Sequence, residues 1–317
     1  MPGIHHVTAI SGDPVRNLRF YTRDLGLRLV KKTVNFDDPS TYHFYFGDRT
    51  GHPGTILTFF PWTSATAGQR GVGQASQTAF RVPLHSIGYW TNRFIEKGIP
   101  HQTPEKHFGE TVLPFVDQDG TALALVGIAD AENEPGWTNG DIPPEHAIRG
   151  LQGVTLLLET APNTAAILTD VFGLSNLGRE GSVIRFASAG TARGGVVDLH
   201  EAAGFPRHHQ GRGSVHHIAF RASNDAQQAE MSEKLLRDHG RHPTEQKDRN
   251  YFRSIYFREP GGVLFEIATD IPGFTIDEPV DALGRNLMLP KFLESRRAVI
   301  EGQLPSLRAR DDRRGTV

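Results

Sequence analysis

The sequence contains no cysteine among its 317 residues. This absence excludes a disulfide framework, thiolate zinc sites, iron–sulfur clusters and a cysteine nucleophile. Acidic and basic residues nearly balance, with a net charge of −2, so charge favours neither nucleic acid nor an anionic membrane as a partner. No hydrophobic run approaches the roughly 18 residues of a membrane helix, and the N-terminus does not have the pattern of a secretory signal. We therefore expect a cytoplasmic protein that binds neither nucleic acid nor membrane.

Histidine, by contrast, is plentiful at 15 residues, and two His–His pairs stand inside segments that read as strands. One pair lies between Gly3 and Thr8, and the other lies between Ser214 and Arg221. A third predicted strand carries Glu266 among apolar neighbours, where an ionised carboxylate is costly unless it is paired or bound to a cation. Two histidines and one carboxylate from three strands are typical of a divalent-metal site. Only one member of each pair can face the site, and strand periodicity leaves open which one.

The chain also repeats itself. Three pairs of segments resemble one another: Gly3–Thr8 and Gly150–Thr155, Gln77–Arg81 and His217–Arg221, and Phe115–Val126 and Phe257–Ile267. Around these anchors we predict four units, each made of a strand, a helix and about three further strands, which is an α+β fold built from βαβββ repeats. Two such units form a cupped half-barrel, so the four units predict two cups.

The predicted boundaries follow changes in composition. Residues 1–130 hold two units, at about 3–62 and 76–130, and residues 131–147 form an acidic linker rich in Pro and Gly. Residues 148–270 hold the other two units, at about 150–202 and 214–270. Residues 271–317 hold a C-terminal helix at 290–300 and a tail whose Arg-rich part, Arg308 to Arg314, we expect to be solvated or disordered. The helices of the four units are predicted at 14–25, 87–97, 164–172 and 225–238.

These motifs resemble the vicinal-oxygen-chelate superfamily, which includes glyoxalases, bleomycin-resistance proteins and dioxygenases. The resemblance rests on the opening GIHHVTAISGDPVRNLRFYTRDLGL, on HHIAFR and EPGGVLFEIATD near the end, and on LPKFLE followed by Arg296 and Arg297. Within the superfamily the chain resembles the hydroquinone-type ring-cleaving extradiol dioxygenases. The resemblance implies Fe(II), a small aromatic substrate and O₂; Mn(II) would suit the same ligand types, and association into a homo-oligomer stays open.

By the resemblance, the metal ligands are His6, His217 and Glu266. It also places Tyr256 and Arg249 at positions that face the substrate, where Tyr256 could hydrogen-bond a substrate oxygen. Without the resemblance, Tyr256 reads equally well as a strand aromatic with a solvated hydroxyl, and Arg249 as a surface arginine.

Two further histidines, His216 and His5, are candidates beside the ligands. Arg249 or His216 could stabilise phenolate charge or move a proton. Three other aromatic or imidazole side chains, Tyr42, His43 and His200, receive no role at this stage.

The repeats predict how the units pair. At equivalent first-strand and last-strand positions the units carry His6 and Phe59, Gln77 and Leu125, Gly153 and Leu199, and His217 and Glu266. Only the first and fourth units supply ligand types. Because one cup needs all three ligands, unit one should pair with unit four and unit two with unit three.

The ligand set also separates functions. Two imidazoles and one carboxylate leave coordination positions open, which is typical of non-haem Fe(II) enzymes that use O₂. One alternative is another metal-dependent enzyme of the superfamily, such as a glyoxalase-like isomerase or a thiol transferase, but such isomerases fill four positions with protein ligands. A second alternative is a metal-free protein that binds a small aromatic, but such proteins lose the ligands that this chain retains.

Overall fold

The computed structural model describes residues 3–138 and 140–308, and strands dominate these ranges. In chain order the strands are β1 Ile4–Ser11, β2 Arg28–Asn35, β3 Asp38–Gly47, β4 Ile56–Pro61, β5 Gln74–Pro83, β6 Glu105–His107, β7 Glu110–Val116, β8 Ala122–Ile128, β9 Leu151–Leu158, β10 Ser175–Glu180, β11 Val183–Ala187, β12 Val196–Glu201, β13 Val215–Ala222, β14 Lys247–Asp248, β15 Arg253–Arg258 and β16 Leu264–Thr269. The α-helices are α1 Pro14–Arg19, α2 Ile87–Lys97, α3 Pro162–Asp170, α4 Asp225–His239 and α5 Arg297–Gln303. None of the helices in these ranges is long and apolar enough to cross a membrane.

The strands form two curved sheets of eight strands within the described part of the chain. The first has the order β14-β15-β16-β13-β1-β4-β3-β2, and the second has the order β10-β11-β12-β9-β5-β8-β7-β6. The first sheet therefore joins unit one to unit four through the antiparallel pair β1–β13, and the second joins unit two to unit three through β5–β9. The predicted α+β fold of βαβββ units, with its wrapped pairing of units, is confirmed.

The apolar pattern predicts two strands after the helix in each of units two, three and four, near 112–116 and 122–128, 183–187 and 195–199, and 253–257 and 263–268. The structure adds three further strands. They are β6, β10 and β14, each the first strand after the helix of its unit. All three lie at sheet edges and consist mostly of polar residues, so the alternation of apolar side chains that identifies a strand is missing from them.

Two helices differ from their predicted form. The helix predicted at 14–25 is α-helical only to Arg19 and continues as a π-helical turn, Phe20–Asp24. The helix predicted at 290–300 begins as a 3-10 helix, Lys291–Arg296, and becomes α-helical at Arg297. Apart from Arg308, the predicted Arg-rich tail lies outside the described residues.

Helical residues join the outer, convex faces of the two sheets. Tyr21 packs on Phe59 of the first sheet, with ring centroids 4.5 Å apart, and its hydroxyl donates to Asp117 of the second sheet at 2.9 Å. Phe172, which follows α3, stacks on Phe220 of β13 at 4.0 Å. The apolar core therefore lies on the convex faces, and the concave faces are left to line cavities.

A buried charge cluster fixes the segment after β16 against the first sheet. Lys31 of β2 has no exposed surface, and its Nζ lies 2.6 Å from Asp277 and 2.5 Å from Glu278. Asp277 also accepts a hydrogen bond from the hydroxyl of Tyr251 at 2.9 Å. The neighbouring Phe252 is thereby held with its ring 5.1 Å from that of His6.

Candidate metal centre

The predicted ligands meet on the concave face of the first sheet. His6 in β1 lies opposite Ala219, and His217 in β13 lies opposite Thr8, so the two histidines are related by the local twofold symmetry of the antiparallel pair. Glu266 lies in β16, which runs parallel to β13. We call this concavity the first cup.

The three donor atoms are close enough to share one ion. His217 Nε2 lies 2.9 Å from Glu266 Oε2 and 3.4 Å from His6 Nε2, and His6 Nε2 lies 3.5 Å from Glu266 Oε2. Metal–ligand bonds of about 2.0–2.2 Å would bring donors from three directions to separations of this size. Within the described residues, this is the group of histidine and carboxylate side chains whose donor atoms converge in this way.

The carboxylate of Glu266 is half satisfied. Its Oε1 accepts a hydrogen bond from the hydroxyl of Ser254, whereas Oε2 receives no hydrogen bond of good geometry from any described residue despite its closeness to His217. Burial acts to raise the pKa of Glu266, but the charge of His6 and the contact with His217 hold that pKa well below its usual range. A fully buried anionic oxygen beside two imidazole nitrogens fits a bound cation.

Each predicted ligand histidine is held by the histidine that precedes it. His5 Nδ1 lies 3.0 Å from His6 Nδ1, and His216 Nδ1 lies 2.8 Å from His217 Nδ1. A bond between two ring nitrogens requires one of them to carry the proton, and a proton on the ligand's Nδ1 leaves its Nε2 lone pair free for a metal. The geometry brings the second member of each pair into the cup.

Burial keeps both supporting histidines neutral. It lowers the pKa of His5 well below the usual value, and the charge of His6 lowers it further. Burial, followed by the charge of His217, lowers the pKa of His216 to about 3.

A cavity of about 310 Å³ opens above this centre. Its apolar wall includes Phe36, Phe60, Phe252 and Leu264. The hydroxyl of Tyr256 accepts a hydrogen bond from Arg249 Nε at 3.1 Å at the polar side of the same cavity. The volume and the mainly apolar lining suit a single-ring organic ligand.

His43, which received no role from the sequence, also lines this cavity. Its Nδ1 lies 2.9 Å from the Tyr45 hydroxyl, and its Nε2 lies 2.8 Å from Thr58 Oγ1, which in turn donates to Thr8 Oγ1 at 2.8 Å. Burial, together with the charges of His6 and His217, lowers the pKa of His43 well below its usual value. Strand alternation along β3 was the available signal, because it puts residues 43 and 45 on one face.

The sheet register corrects the assignment of Phe59 to the fourth position of the first cup. Thr8 lies beside Thr58, and Ala219 lies beside Glu266. Since Thr8 and Ala219 each follow a ligand histidine by two residues, Thr58 is the structural equivalent of Glu266. Phe59 points to the opposite face and packs in the apolar core.

The sheet register also corrects the residues assigned to the second cup, which is the concave face of the second sheet. Ala124 and Asp198, rather than Leu125 and Leu199, occupy the places equivalent to Glu266. Gly153 stands at the place equivalent to His6, and a Cβ built on it would lie 2.1 Å from a backbone oxygen of Val196.

An arginine neutralises the carboxylate of the second cup. Arg185 donates to both oxygens of Asp198, at 2.9 and 2.8 Å, and to Glu110 at 2.6 Å. Arg185 pairs with Asp198 in the register as Tyr256 pairs with Glu266. The guanidinium therefore stands where the first cup has a tyrosine.

Comparison with known proteins places the chain in a family. The sequence profile of the Glyoxalase/Bleomycin resistance protein/Dioxygenase superfamily matches residues 3–125. Over 304 residues, covering 96% of both chains, the sequence is 46% identical to a Bacillus subtilis (strain 168) protein named "Putative ring-cleaving dioxygenase MhqO". The chain belongs to this superfamily.

Two further relatives of this chain are also named as dioxygenases. A Sphingobium indicum protein named "Chlorohydroquinone/hydroquinone 1,2-dioxygenase" is 32% identical over 300 residues, which cover 92% of each chain. A crystal structure of a putative dioxygenase from Bacillus subtilis superposes with a TM-score of 0.92 at 46% identity, over 97% of this chain and 98% of that one. The names of the curated relatives confirm the predicted enzyme class, a ring-cleaving dioxygenase.

The fold is shared more widely than the activity. Glyoxalase I from Zea mays superposes with a TM-score of 0.64 at 15% identity, over 85% of this chain and 93% of that one. At that identity the likeness concerns the fold alone, and reaction type has to be argued from the site.

Proposed function

We propose that this protein is an Fe(II)-dependent, extradiol-type ring-cleaving dioxygenase that acts on hydroquinone or a related dihydroxylated aromatic. The observation that carries the proposal is the buried Glu266 Oε2, which has two imidazole Nε2 atoms beside it and accepts no hydrogen bond from a lysine or arginine of the described residues. The apolar cavity above these atoms and the relative named for hydroquinone support the substrate class.

The ligand set supports iron. His6, His217 and Glu266 would hold the ion, and two neutral imidazoles with one carboxylate are the donor set of non-haem Fe(II) oxygenases; Mn(II) suits the same donors. Bound Fe(II) would supply the redox-active Lewis acid at which a phenolic substrate oxygen and O₂ are held side by side. Thr58 at the fourth position, rather than a histidine or carboxylate, favours this chemistry over a four-ligand glyoxalase-like isomerase.

The reaction balances without an external reductant. One O₂ is consumed for each ring opened, both oxygen atoms enter the product, and the electrons come from the ring. The protein has to bind the ring, accept and return protons, and exclude bulk water. The apolar wall containing Phe36, Phe60 and Phe252 serves binding and water exclusion.

Tyr256 and Arg249 would act at the substrate oxygens. Burial, followed by the negative charge of Glu266, raises the pKa of Tyr256, so its hydroxyl stays protonated and can donate a hydrogen bond. Arg249, which bonds the same hydroxyl, places a fixed positive charge close to where phenolate charge develops.

His43 would shape the polar wall of the cavity. Its two ring nitrogens are engaged by the hydroxyls of Tyr45 and Thr58, and Thr58 donates onward to Thr8, so the neutral ring is fixed in position. His5 and His216 would instead orient the ligand imidazoles through their Nδ1 contacts.

Oxygen consumption tests the proposal. Protein reconstituted with Fe(II) under anaerobic conditions should consume one O₂ per hydroquinone and give a ring-opened product with both atoms of ¹⁸O₂ incorporated. Catechol, with its hydroxyls adjacent, serves as the comparison substrate. Full iron occupancy with no uptake on any dihydroxylated ring would contradict the proposal and favour the isomerase or transferase alternative.

A further inference from the structure

Asp37 stands at the rim of the first cup, in the turn between β2 and β3. Its backbone N–H donates to the side chain of Asn35 at 3.0 Å, which fixes the turn. The Asp37 side chain is 62% exposed, yet its Oδ2 accepts a hydrogen bond from Arg249 Nη2 at 2.9 Å. The two residues are 212 positions apart, so the pair ties unit one to unit four across the mouth of the cup.

Arg249 is held at both ends by this arrangement. Its backbone lies in a tight turn in which Asn250 has a positive φ of +66° and the N–H of Asn250 donates to Asp248 Oδ1 at 2.7 Å. Its guanidinium is a rigid fork, so fixing Nη2 on Asp37 also fixes the direction of Nε, which donates to the Tyr256 hydroxyl. Without the bond to Asp37, the Arg249 side chain would regain rotamer freedom, and its hydrogen bond to the Tyr256 hydroxyl would be formed for only part of the time.

Tyr256 connects Arg249 to the predicted metal ligands. It lines the cavity beside Glu266, and its ring lies 5.8 Å from that of His217. Asp37, Arg249 and Tyr256 therefore form one hydrogen-bonded chain from the rim to the ligands. Because Asp37 reaches Tyr256 only through Arg249, its effect on turnover should depend on that arginine.

We propose that Asp37 is a positioning residue, which holds Arg249 in the orientation that serves Tyr256 and thereby sets the rate of turnover without contributing to metal binding. The proposal rests on the ring-cleaving function argued above. The turn between β2 and β3 of unit one would then take part in a reaction for which Arg249 and Tyr256 come from unit four.

Steady-state O₂ uptake by the full-length, iron-reconstituted protein tests it. Asp37→Asn should lower kcat by about threefold to tenfold, with metal stoichiometry unchanged, since one partly exposed ion pair is lost. Asp37→Glu, which keeps the carboxylate, should restore more than half of the lost kcat. In an Arg249→Ala background Asp37→Asn should cause no further loss, because the two act through one path.

A matched control is an aspartate of α4 whose arginine partner lies on the same strand as Tyr256. Asp225, 54% exposed, pairs with Arg253 of β15 at 2.5 Å, away from the cavity. Asp225→Asn should leave kcat unchanged. Equal losses from Asp37→Asn and Asp225→Asn, or a loss from Asp37→Asn that persists in the Arg249→Ala background, would overturn the proposal.

An NMR readout separates this proposal from the proposed reaction. The Arg249 Nε–H resonance, assigned by its disappearance in Arg249→Lys, should be protected from exchange in the native protein and should broaden or exchange faster in Asp37→Asn but not in Asp225→Asn. If no substrate is cleaved while this pattern holds, the reaction is wrong and the positioning role stands. An unchanged Arg249 resonance in Asp37→Asn would overturn the positioning role whatever the activity.

Discussion

The two cups share one architecture and differ in how each balances a buried carboxylate. In the second cup, Asp198 receives two hydrogen bonds from Arg185, at 2.9 and 2.8 Å. In the first cup, Glu266 occupies the equivalent place and faces two imidazoles, with Tyr256 where Arg185 would be. Among the described residues, the carboxylate of the second cup thus has an arginine as its direct partner, and the carboxylate of the first cup has imidazoles.

This difference explains why one cup is suited to chemistry and the other to structure. A charged side chain that is buried without a partner of opposite charge loses its hydration, and this loss lowers the free energy of unfolding. Arg185 meets that need permanently, and its guanidinium also lies 4.3 Å from the ring of Phe108. On the proposed function, the first cup would meet the need through a bound metal, whose remaining coordination positions would be open to substrate and O₂.

The largest expected effect comes from removing a ligand of the first cup. His217→Ala should abolish iron binding and lower turnover by about a thousandfold or more, because two donors cannot hold the ion in position. Metal analysis after reconstitution and O₂ uptake are the measurements. Gln77→Ala, at the equivalent position of the second cup, is the control and should bind one iron per chain. A His217→Ala protein with full iron and normal turnover would rule out the ligand role.

The second cup should respond to loss of its arginine in stability rather than in metal content. Arg185→Met keeps much of the side-chain volume but leaves Asp198 and Glu110 without their partner, so the free energy of unfolding should fall by about 3–5 kcal/mol. Urea unfolding measures this. Arg237→Met, which removes an exposed pair with Asp238, should have no measurable effect. Equal stability of the two variants would show that the second cup is not held by this charge network.

Tyr256 tests the position at which the cups differ. Tyr256→Phe should retain iron but slow turnover by about tenfold to a thousandfold, because one hydrogen bond at the reacting oxygens is lost. Arg249→Ala should weaken the use of substrate more than the binding of metal. Comparing kcat/KM with iron occupancy for each variant separates the two effects. Iron loss in step with activity would assign Tyr256 to metal binding instead.

The pH dependence of stability should originate in the first cup. Burial lowers the pKa of four histidines there: His5, His43, His216 and His217. The unfolded chain therefore binds more protons than the folded one below about pH 6.5, and stability is lost as the pH falls through this range, by at most about 1.4 kcal/mol per pH unit for each histidine. Urea unfolding in chelator at about pH 7.5 and about pH 5.5 tests this.

The matched variant for this experiment is His43→Phe, which removes one of these groups without touching a ligand. It should flatten the dependence on pH. Stability that rises as the pH falls from neutral would contradict the burial of neutral histidines in this cup.

Much of this comparison was predictable from sequence, and its decisive detail was not. The repeated anchors, with the ligand types confined to units one and four, predicted the wrapped pairing of the sheets. The place of Asp198 depends on register, and a count that is one residue off reverses the face of every side chain, so the sequence alone points to Leu199 instead.

Contacts between distant segments were equally hidden. His43 lies on an aromatic-rich strand whose pattern suits a core strand, and nothing in the neighbourhood of Asp37 indicates an arginine 212 positions away. The polar edge strands β6, β10 and β14 lack the apolar alternation from which strands are recognised. Local pattern thus predicted the units, and only the folded sheet defined what their concave faces hold.

The most direct test compares native protein with Glu266→Gln at about pH 8, above the ordinary pKa of a histidine. In chelator, urea unfolding of the two proteins gives the reference free energy from which each response to metal is measured. On adding Mn(II) or anaerobic Fe(II), native protein should bind one ion per chain and gain stability with metal concentration, while Glu266→Gln should not respond. Native protein that binds no ion, or Glu266→Gln that is stabilised by metal as native protein is, would contradict the account.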